Sequence, residues 1–351
     1  MQKFYNIEKS KIIKGLEWTG DRIGYPEAVV RGDTYPMTWA HDGDIYTSSG
    51  DPGWSPEGVS DSGIDVEKFS GGPADYKITK VNRMLGFDGC GGGGPKPSGM
   101  ICVDSIFYLA FQNSRRLQPA PHSLRSQHGS DAHIIYSASP GWFWTPDFAS
   151  IPPAPMFPGC RFGGPAFVNF GQNNANARDR YVYAVSSDQW DNGSNLRLGR
   201  VPADSIVRRE AWEWVCAYGP TGEPAWHHDI DLSIPILTMH KHLGMPEMVY
   251  LAGLERYMLF TWRFRKDFSS DDGTDLLVFE APEPWGPFSL VHYEELWQGR
   301  EFNPYCPRLP LKWMADDHRS GWLQFSGAWN DIGVSKLYYR SNVRPFKFIM
   351  Q

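Results

Sequence analysis

The sequence predicts an all-β protein, and within that class a five-bladed β-propeller formed by a single domain of residues 1–351. Three observations lead to this prediction. Short runs rich in Val, Ile, Tyr, Phe and Trp recur along the chain. Turn-forming residues, 36 Gly and 28 Pro, separate these runs. Long stretches with the 3.6-residue apolar period of a helix are hard to find. A β-sandwich is the alternative, because the units have no strict period.

The predicted strands follow one another from residue 35 onwards, and most are four to seven residues long. A strand-turn-strand unit followed by a Trp-rich or Pro-rich link occurs around 39–51, 107–144, 167–202, 254–285 and 313–329. Five such units indicate five blades around a central axis. The predicted strands are 35–40, 44–48, 101–111, 133–137, 165–170, 181–186, 196–201, 248–251, 257–262, 276–280, 288–293, 321–325 and 336–339.

Composition narrows the class of partner. The net charge is −6, which argues against a nucleic acid or an anionic membrane as partner, since either would need a basic face. Aromatic residues make up 15% of the chain and include 15 Trp. Flat aromatic side chains stack well on the apolar faces of sugar rings, so the predicted partner is a carbohydrate substrate. No metal or other cofactor is predicted, because no cysteine spacing resembles a zinc site.

The cysteines and the N-terminus say little about location. Five cysteines are few and odd in number, so no disulfide framework is implied. Cys90 and Cys102 either bridge across the Gly-rich loop at 89–94 or remain free thiols. No run is apolar enough for a signal sequence or a membrane span. We therefore expect a soluble protein that is either cytoplasmic or secreted with its leader removed.

The segment 33–51, DTYPMTWAHDGDIYTSSGD, predicts a β-hairpin. A three-residue turn at 41–43 with Gly in the left-handed position places Ala40 opposite Asp44. Counting outward in that register places Asp33 opposite Asp51, where facing β-carbons lie about 4.5–5.5 Å apart. A two-residue turn at 42–43 would instead make the two acids diagonal neighbours.

A pair of carboxyl groups sharing one site tends to hold one proton between them, which suits acid/base or nucleophilic chemistry. Hydrolysis of a glycosidic bond needs one protonated carboxyl and one carboxylate, and a short separation favours a covalent, retaining route. We assign Asp51 as the nucleophile and Asp33 as the acid/base. The alternative is that both are turn residues, since Gly-Asp pairs favour turns.

Three segments are distinctive: TWAHDGDIYT at 38–47, RVP at 200–202 and EAPEPWGP at 280–287. These segments resemble those of one known family, the propellers first described as domain of unknown function 4185, which include the endo-D-arabinanases of glycoside hydrolase family 183. The resemblance spans residues 33–340. It implies a five-bladed propeller that cleaves furanosidic or related bonds, with D-arabinan favoured, and its two first-blade aspartates fall on Asp33 and Asp51.

Other side chains are candidates for holding the substrate. Trp39 is expected to stack under a sugar ring, unless it is a core aromatic between blades. Four polar residues are expected to bind sugar hydroxyls, although each also has an ordinary structural interpretation: Gln172, Asn173, His227 and Asn303.

Two other functions remain open at this point. A non-catalytic carbohydrate-binding propeller would use the same acids only as hydrogen-bond acceptors. A polysaccharide lyase would need a base and a cation, which His227, Tyr305 and Arg308 would supply. Asp229 and Asp231 are an alternative acid or a cation site.

Overall fold

The computed structural model describes residues 7–25, 31–52, 63–89, 94–114, 131–266, 269–300, 302–327 and 339–351. These residues form five antiparallel sheets around one axis, which confirms the predicted five-bladed β-propeller. The helical segments among them are 3-10 turns of three residues. In the described part of the chain, no helix has the length and apolar character needed to cross a membrane.

The strands are numbered along the chain, and β1 (Ile13–Trp18) and β2 (Ile23–Gly24) precede the first blade. The first blade contains β3 (Met37–Trp39), β4 (Ile45–Gly50), β5 (Ile64–Ser70) and β6 (Lys77–Arg83). The second contains β7 (Lys96–Val103), β8 (Ile106–Gln112), β9 (Asp131–Ser139), β10 (Phe143–Thr145) and β11 (Phe157–Pro158), which pairs with β9.

The third blade contains β12 (Ala166–Phe167), β13 (Tyr181–Ser187), β14 (Gly193–Pro202), β15 (Glu213–Tyr218) and β16 (Pro224–His227), with β17 (Leu237–Leu243) paired to β14. The fourth contains β18 (Glu247–Leu251), β19 (Arg256–Lys266), β20 (Ser269–Ala281) and β21 (Ser289–Glu294). The fifth contains β22 (Tyr305–Arg308), β23 (Ser320–Ser326) and β24 (Asn342–Met350), and it is completed by β1 and β2.

The first strand of the chain closes the ring. β1 pairs antiparallel with β24, from Ile13 opposite Met350 to Trp18 opposite Phe346. The fifth blade is therefore built from both ends of the described chain. The sequence analysis did not predict β1, whose buried positions Ile13 and Leu16 are three residues apart because the pairing contains a bulge.

The hydrophobic core lies between blades. Four of the five apolar clusters draw their buried residues from two adjacent blades, and the cluster between the fourth and fifth blades also includes Trp190 from the third. Between the first and fifth blades, for example, Tyr76 lies 5.1 Å from Phe69 and 5.1 Å from Trp313, measured between ring centroids. Large flat side chains fill the wedge between two sheets efficiently, which explains much of the high aromatic content.

Polar side chains tie the inner strands together at the axis. Asn169, just after β12, donates from Nδ2 to the carbonyls of Met37 and Met100 at 3.2 and 3.1 Å. The Thr38 hydroxyl donates to Asn169 Oδ1 at 2.9 Å and accepts from the backbone N–H of Cys102 at 2.9 Å. Three blades are therefore cross-linked by two side chains, so their inner strands hold a fixed relative position.

Some strand predictions were wrong in detail. The run 101–111 is two strands, because Asp104 and Ser105 have φ values of 49° and 65° and turn the chain between β7 and β8. Strands β5, β6, β15, β16, β17 and β24 were not predicted, and most of the predicted strand at 336–339 lies outside the described residues. Cys102 is a free thiol that donates to Asn173 Oδ1, and Cys90, considered above as its disulfide partner, lies outside the described residues.

Candidate active site

The hairpin of the first blade has the predicted turn. The backbone N–H of Ala40 donates to the Asp44 carbonyl at 2.9 Å, and Gly43 has φ of 87°. Beyond the turn, Trp39 pairs with Ile45 and Met37 pairs with Thr47. The three-residue turn and the register next to it are therefore confirmed.

The register changes before it reaches the two aspartates. Thr34 and Tyr35 have φ values of 64° and 40°, which shortens their strand relative to β4. Asp33 consequently exchanges backbone hydrogen bonds with Gly50, at 2.9 and 3.0 Å. The prediction that Asp33 faces Asp51 is wrong by one residue, and the argument for a retaining route from facing positions no longer holds.

The two carboxyl groups nevertheless share one site. The negative charge of Asp51 acts on Asp33, and Lys96 Nζ lies 2.7 Å from Asp51 Oδ1. A Cβ atom on Gly50 would lie 2.7 Å from Asp33 Oδ1 and 3.4 Å from Lys96 Cδ. Only glycine leaves room for the Asp33 carboxyl at this point, so position 50 cannot carry a side chain without displacing it.

Asp33 is the protonated member of the pair. Burial, followed by the charge of Asp51, raises its pKa to about 8, while Lys96 and the hydroxyls of Tyr305 and Tyr339 act in the opposite direction. The Tyr305 hydroxyl donates to Asp33 Oδ2 at 3.1 Å. Asp33 is therefore a neutral acid at pH 7, held in place by a side chain from the fifth blade.

Asp51 is the ion-paired member. It and Lys96 are only 6% and 3% exposed, so water screens their attraction little. The ammonium group compensates a negative charge that would otherwise be costly to bury. Acid-assisted cleavage of an acetal requires one neutral carboxyl and one carboxylate. This desolvated site holds a neutral Asp33 beside an Asp51 whose charge is balanced by Lys96.

Neighbouring groups hold the strained backbone around the pair. Asp51 itself has φ of 48°, and Thr34, where such a value is unusual for a β-branched residue, has φ of 64°. The Thr34 carbonyl accepts a 2.7 Å hydrogen bond from Arg308 Nε. On the other side, Glu67 accepts hydrogen bonds from the backbone N–H and the hydroxyl of Ser49, next to Gly50. Strain persists where the surroundings enforce it, as these contacts do.

Asn303 is 6% exposed, has φ of 44° and lies two residues before Tyr305, whose hydroxyl donates to Asp33. Trp39, Gln172 and Asn173 lie at the opposite end of β3. The Gln172 side chain donates to the carbonyls of Ala40 and His41.

Trp39 has a structural role at that far end. Its indole N–H donates to the Gly43 carbonyl at 3.2 Å, and its ring lines a cavity of about 10 Å³ on the axis. Six residues of strand, up to about 20 Å, separate it from Asp33. His227 is exposed at the end of β16, an outer strand of the third blade. The structure therefore brings together Asp33 and Asp51 and leaves Trp39, Gln172, Asn173 and His227 elsewhere.

Sequence reasoning missed Lys96 and Tyr339, and it named Tyr305 as a residue near the axis and as a group for the lyase alternative. The available signal for Lys96 was a lone lysine at the head of a buried run, KPSGMICV, in which all eight residues are buried. A lysine is rarely buried without a partner, so that position pointed to an acid nearby. Tyr305 and Tyr339 carry no comparable signal, because aromatic residues are frequent throughout this chain.

Comparison with known proteins supports the fold. No family model and no curated protein matches the sequence. An α-L-arabinofuranosidase from Podospora anserina is similar in structure, with 11% identity, 96% of this chain and 99% of the other covered, and a TM-score of 0.52. A xylan β-1,4-xylosidase from Bacillus halodurans, at 12% identity, covers 93% of this chain and 54% of its own, with a TM-score of 0.53.

An exo-β-1,3-galactanase from Phanerochaete chrysosporium is similar to the same extent. The identity is 10%, the match covers 93% of this chain and 64% of the galactanase chain, and the TM-score is 0.53. At such identities the similarity establishes the propeller architecture, while the chemistry has to be argued from this chain's own residues.

Proposed function

We propose that this protein is a glycoside hydrolase that cleaves a furanosidic linkage in an arabinan-type polysaccharide, with D-arabinan favoured. The observation that carries the proposal is the pairing of a neutral Asp33 with an ion-paired Asp51 in one buried site. Two further facts support it. The sequence resembles the endo-D-arabinanase family, and the structural neighbours include an arabinofuranosidase, a xylosidase and a galactanase.

The reaction follows from the two protonation states. Asp33 gives its proton to the leaving oxygen as the glycosidic bond breaks, and positive charge develops on the sugar ring. Asp51 attacks the anomeric carbon or activates the water that does so. Tyr305 keeps the Asp33 carboxyl in place, and Lys96 compensates the charge of Asp51 before the substrate becomes positively charged.

The lyase alternative has no assembled site. Its base, His227, is exposed on an outer strand of the third blade. Its cation, Arg308, is fully buried and already bonded to Glu247 and to the Thr34 carbonyl. Tyr305 donates to Asp33 instead of facing either of them. His227 therefore lies away from Tyr305 and Arg308, which both contact the segment 33–34.

The proposal is tested by a substrate screen with the purified full chain on D-arabinan, L-arabinan, a fructan and a rhamnose-containing polymer. We expect release of new reducing ends from D-arabinan. A product that absorbs in the ultraviolet would identify a lyase, because elimination leaves an unsaturated sugar. Retention of a polymer without any release would identify a non-catalytic binding protein.

The pH dependence of hydrolysis provides a second test. Asp33 acts in its protonated form and has a pKa of about 8, so activity requires a pH below that value. We therefore expect kcat/KM for D-arabinan to fall as the pH rises through about 8. Initial rates between pH 5 and pH 10, at low substrate concentration, measure this limb for the free enzyme.

The Tyr305→Phe variant identifies the group responsible for that limb. In the parent protein the Tyr305 hydroxyl lowers the pKa of Asp33. Removing that hydroxyl therefore raises the pKa of Asp33 and moves the alkaline limb to higher pH. The phenyl ring keeps the packing against Trp190 and Trp262, 5.8 and 5.5 Å away between centroids. A limb that stays in place or moves to lower pH would show that Asp33 is not the titrating acid.

A further inference from the structure

A second pocket lies on the outer flank between the first and second blades. It is bounded by the segment that follows β6 and by the hairpin that joins β9 to β10, and its volume is about 180 Å³. A single buried water needs roughly 10–15 Å³, so this space admits a much larger molecule. The residues that shape it include Asn82, Leu85, Phe87, Trp142, Trp144 and Phe148.

Two tryptophans give this pocket an aromatic surface, and the two side chains have different roles. Trp144 is 7% exposed, and its indole N–H donates to the Pro140 carbonyl at 3.1 Å, so it is fixed in the wall. Trp142 is 80% exposed, and Leu85 across the pocket is 82% exposed. Exposed large apolar side chains grouped at the edge of a concave site are typical of a binding surface.

The pocket is formed before any ligand arrives. Phe87 makes edge-to-face contacts with Phe111 and Phe148, each with ring centroids 5.1 Å apart. Gly86, with φ of 86°, lies so close to Phe148 that an added Cβ would be 3.0 Å from that ring. A rigid wall loses little entropy when a ligand binds, so the shape favours recognition.

The polar rim indicates a ligand without net charge. Asn82 donates to the Pro140 carbonyl at 3.1 Å, which fixes the orientation of its amide. Asp147 accepts from the Ser150 backbone N–H at 2.8 Å and remains open to solvent. Arg83 supplies one positive charge against that one negative charge. An indole face surrounded by an amide, a carboxylate and a guanidinium matches a sugar ring, which presents C–H faces and hydroxyls.

This pocket is connected to the end of the first blade that carries the aspartates. The backbone N–H of Gly63 donates to the Phe87 carbonyl, and the Gly63 carbonyl accepts from the Asp51 backbone N–H at 3.1 Å. One residue therefore links the pocket wall to Asp51.

We propose that the pocket around Trp142 is a second carbohydrate-binding site, which holds a part of the polysaccharide chain away from the bond being cleaved. The identity of the sugar rests on the proposed function, whereas the binding role rests on the pocket itself. Stacking of one sugar ring on the indole of Trp142 supplies the main contact, and Asn82 and Asp147 bind its hydroxyls.

This proposal is tested by affinity electrophoresis in gels that contain D-arabinan, L-arabinan, a fructan or a rhamnose-containing polymer. The Trp142→Ala variant is compared with Phe143→Ala, which removes a neighbouring aromatic that is 77% exposed but does not line the pocket. We expect Trp142→Ala to weaken retention by D-arabinan about tenfold, because loss of one aromatic stacking contact is on that scale. Phe143→Ala is expected to migrate like the parent protein.

The result separates this proposal from the proposed function. Retention that depends on Trp142, in a protein that releases no reducing ends, would support the second site and refute the hydrolase. Equal retention of the parent and Trp142→Ala would overturn the second site even if D-arabinan is hydrolysed. Absence of retention by all four polymers would also overturn it, and the exposed aromatics would then belong to a protein interface. Unchanged circular dichroism of both variants confirms that they are folded.

Discussion

Replacing Asp33 or Asp51 by Asn is expected to abolish the hydrolysis of D-arabinan. A positioned general acid contributes about 10²–10⁴-fold to the rate, and the amide of Asp33→Asn has no acidic proton to give to the leaving oxygen. Loss of the Asp51 carboxylate removes the group that attacks or activates water, so its effect is at least as large. Reducing-end assays at pH 6, with enough enzyme to detect a loss of about 10⁴-fold, measure both effects.

The same hairpin offers a matched control. Asp42 is exposed in the turn at the far end, where it accepts hydrogen bonds from the Asp44 backbone N–H and the Tyr46 hydroxyl. Asp42→Asn makes the same chemical substitution on the same hairpin but leaves the carboxyl pair intact, and full activity is expected. If either Asp33→Asn or Asp51→Asn retains activity comparable to this control, the affected aspartate has no part in the reaction.

The two active-site variants are expected to differ in stability. Asp33 is already neutral at pH 7, so an amide of nearly the same shape replaces it at little cost. Asp51→Asn leaves the buried Lys96 ammonium without its counter-charge, and breaking a buried pair in this way typically costs about 3–5 kcal/mol. Thermal unfolding at pH 7 should therefore show a clear decrease in Tm for Asp51→Asn alone.

Local patterns were sufficient to predict the blades but not their closure. Runs such as Tyr181–Ser187 and Glu247–Leu251 have the β-branched and aromatic composition that favours strands wherever they lie. The pairing of β1 with β24 depends instead on residues more than 300 positions apart, and no local property of Ile13–Trp18 specifies that partner. Turn chemistry likewise predicted the hairpin at 41–43, because a Gly in the left-handed conformation acts locally.

The site shows the same division. Asp33 and Asp51 are predictable because a single hairpin carries both of them. Burial and the charge of Asp51 raise the pKa of Asp33, and Asp51 is itself paired with Lys96 from the second blade. Tyr305, from the fifth blade, reaches Asp33 only when the ring closes. The predicted register also failed there, since the left-handed Thr34 is held by a contact with Arg308 that lies 274 residues away. Non-local contacts therefore determine the surroundings of both carboxyl groups.

Arg308 links the stability of the ring to the geometry of this site. It is fully buried, and its guanidinium donates to the carbonyls of Thr34 and Pro246 at 2.7 and 2.9 Å and to Glu247 Oε2 at 3.1 Å. One side chain therefore joins the fifth blade to the fourth and to the first. Because Thr34 is adjacent to Asp33, the same contact fixes the position of the acid.

We expect Arg308→Met to lower the free energy of unfolding by about 3–5 kcal/mol, since it leaves a carboxyl and two carbonyls buried without their donor. Urea unfolding followed by Trp fluorescence measures the change. Glu247→Gln is the matched control, because burial already raises the pKa of Glu247 towards the neutral form and the amide oxygen still accepts a hydrogen bond from Arg308. Its expected cost is about 1 kcal/mol. If Arg308→Met proves no less stable than Glu247→Gln, the ring does not depend on this contact, and the strained Thr34 must be held by its own hairpin.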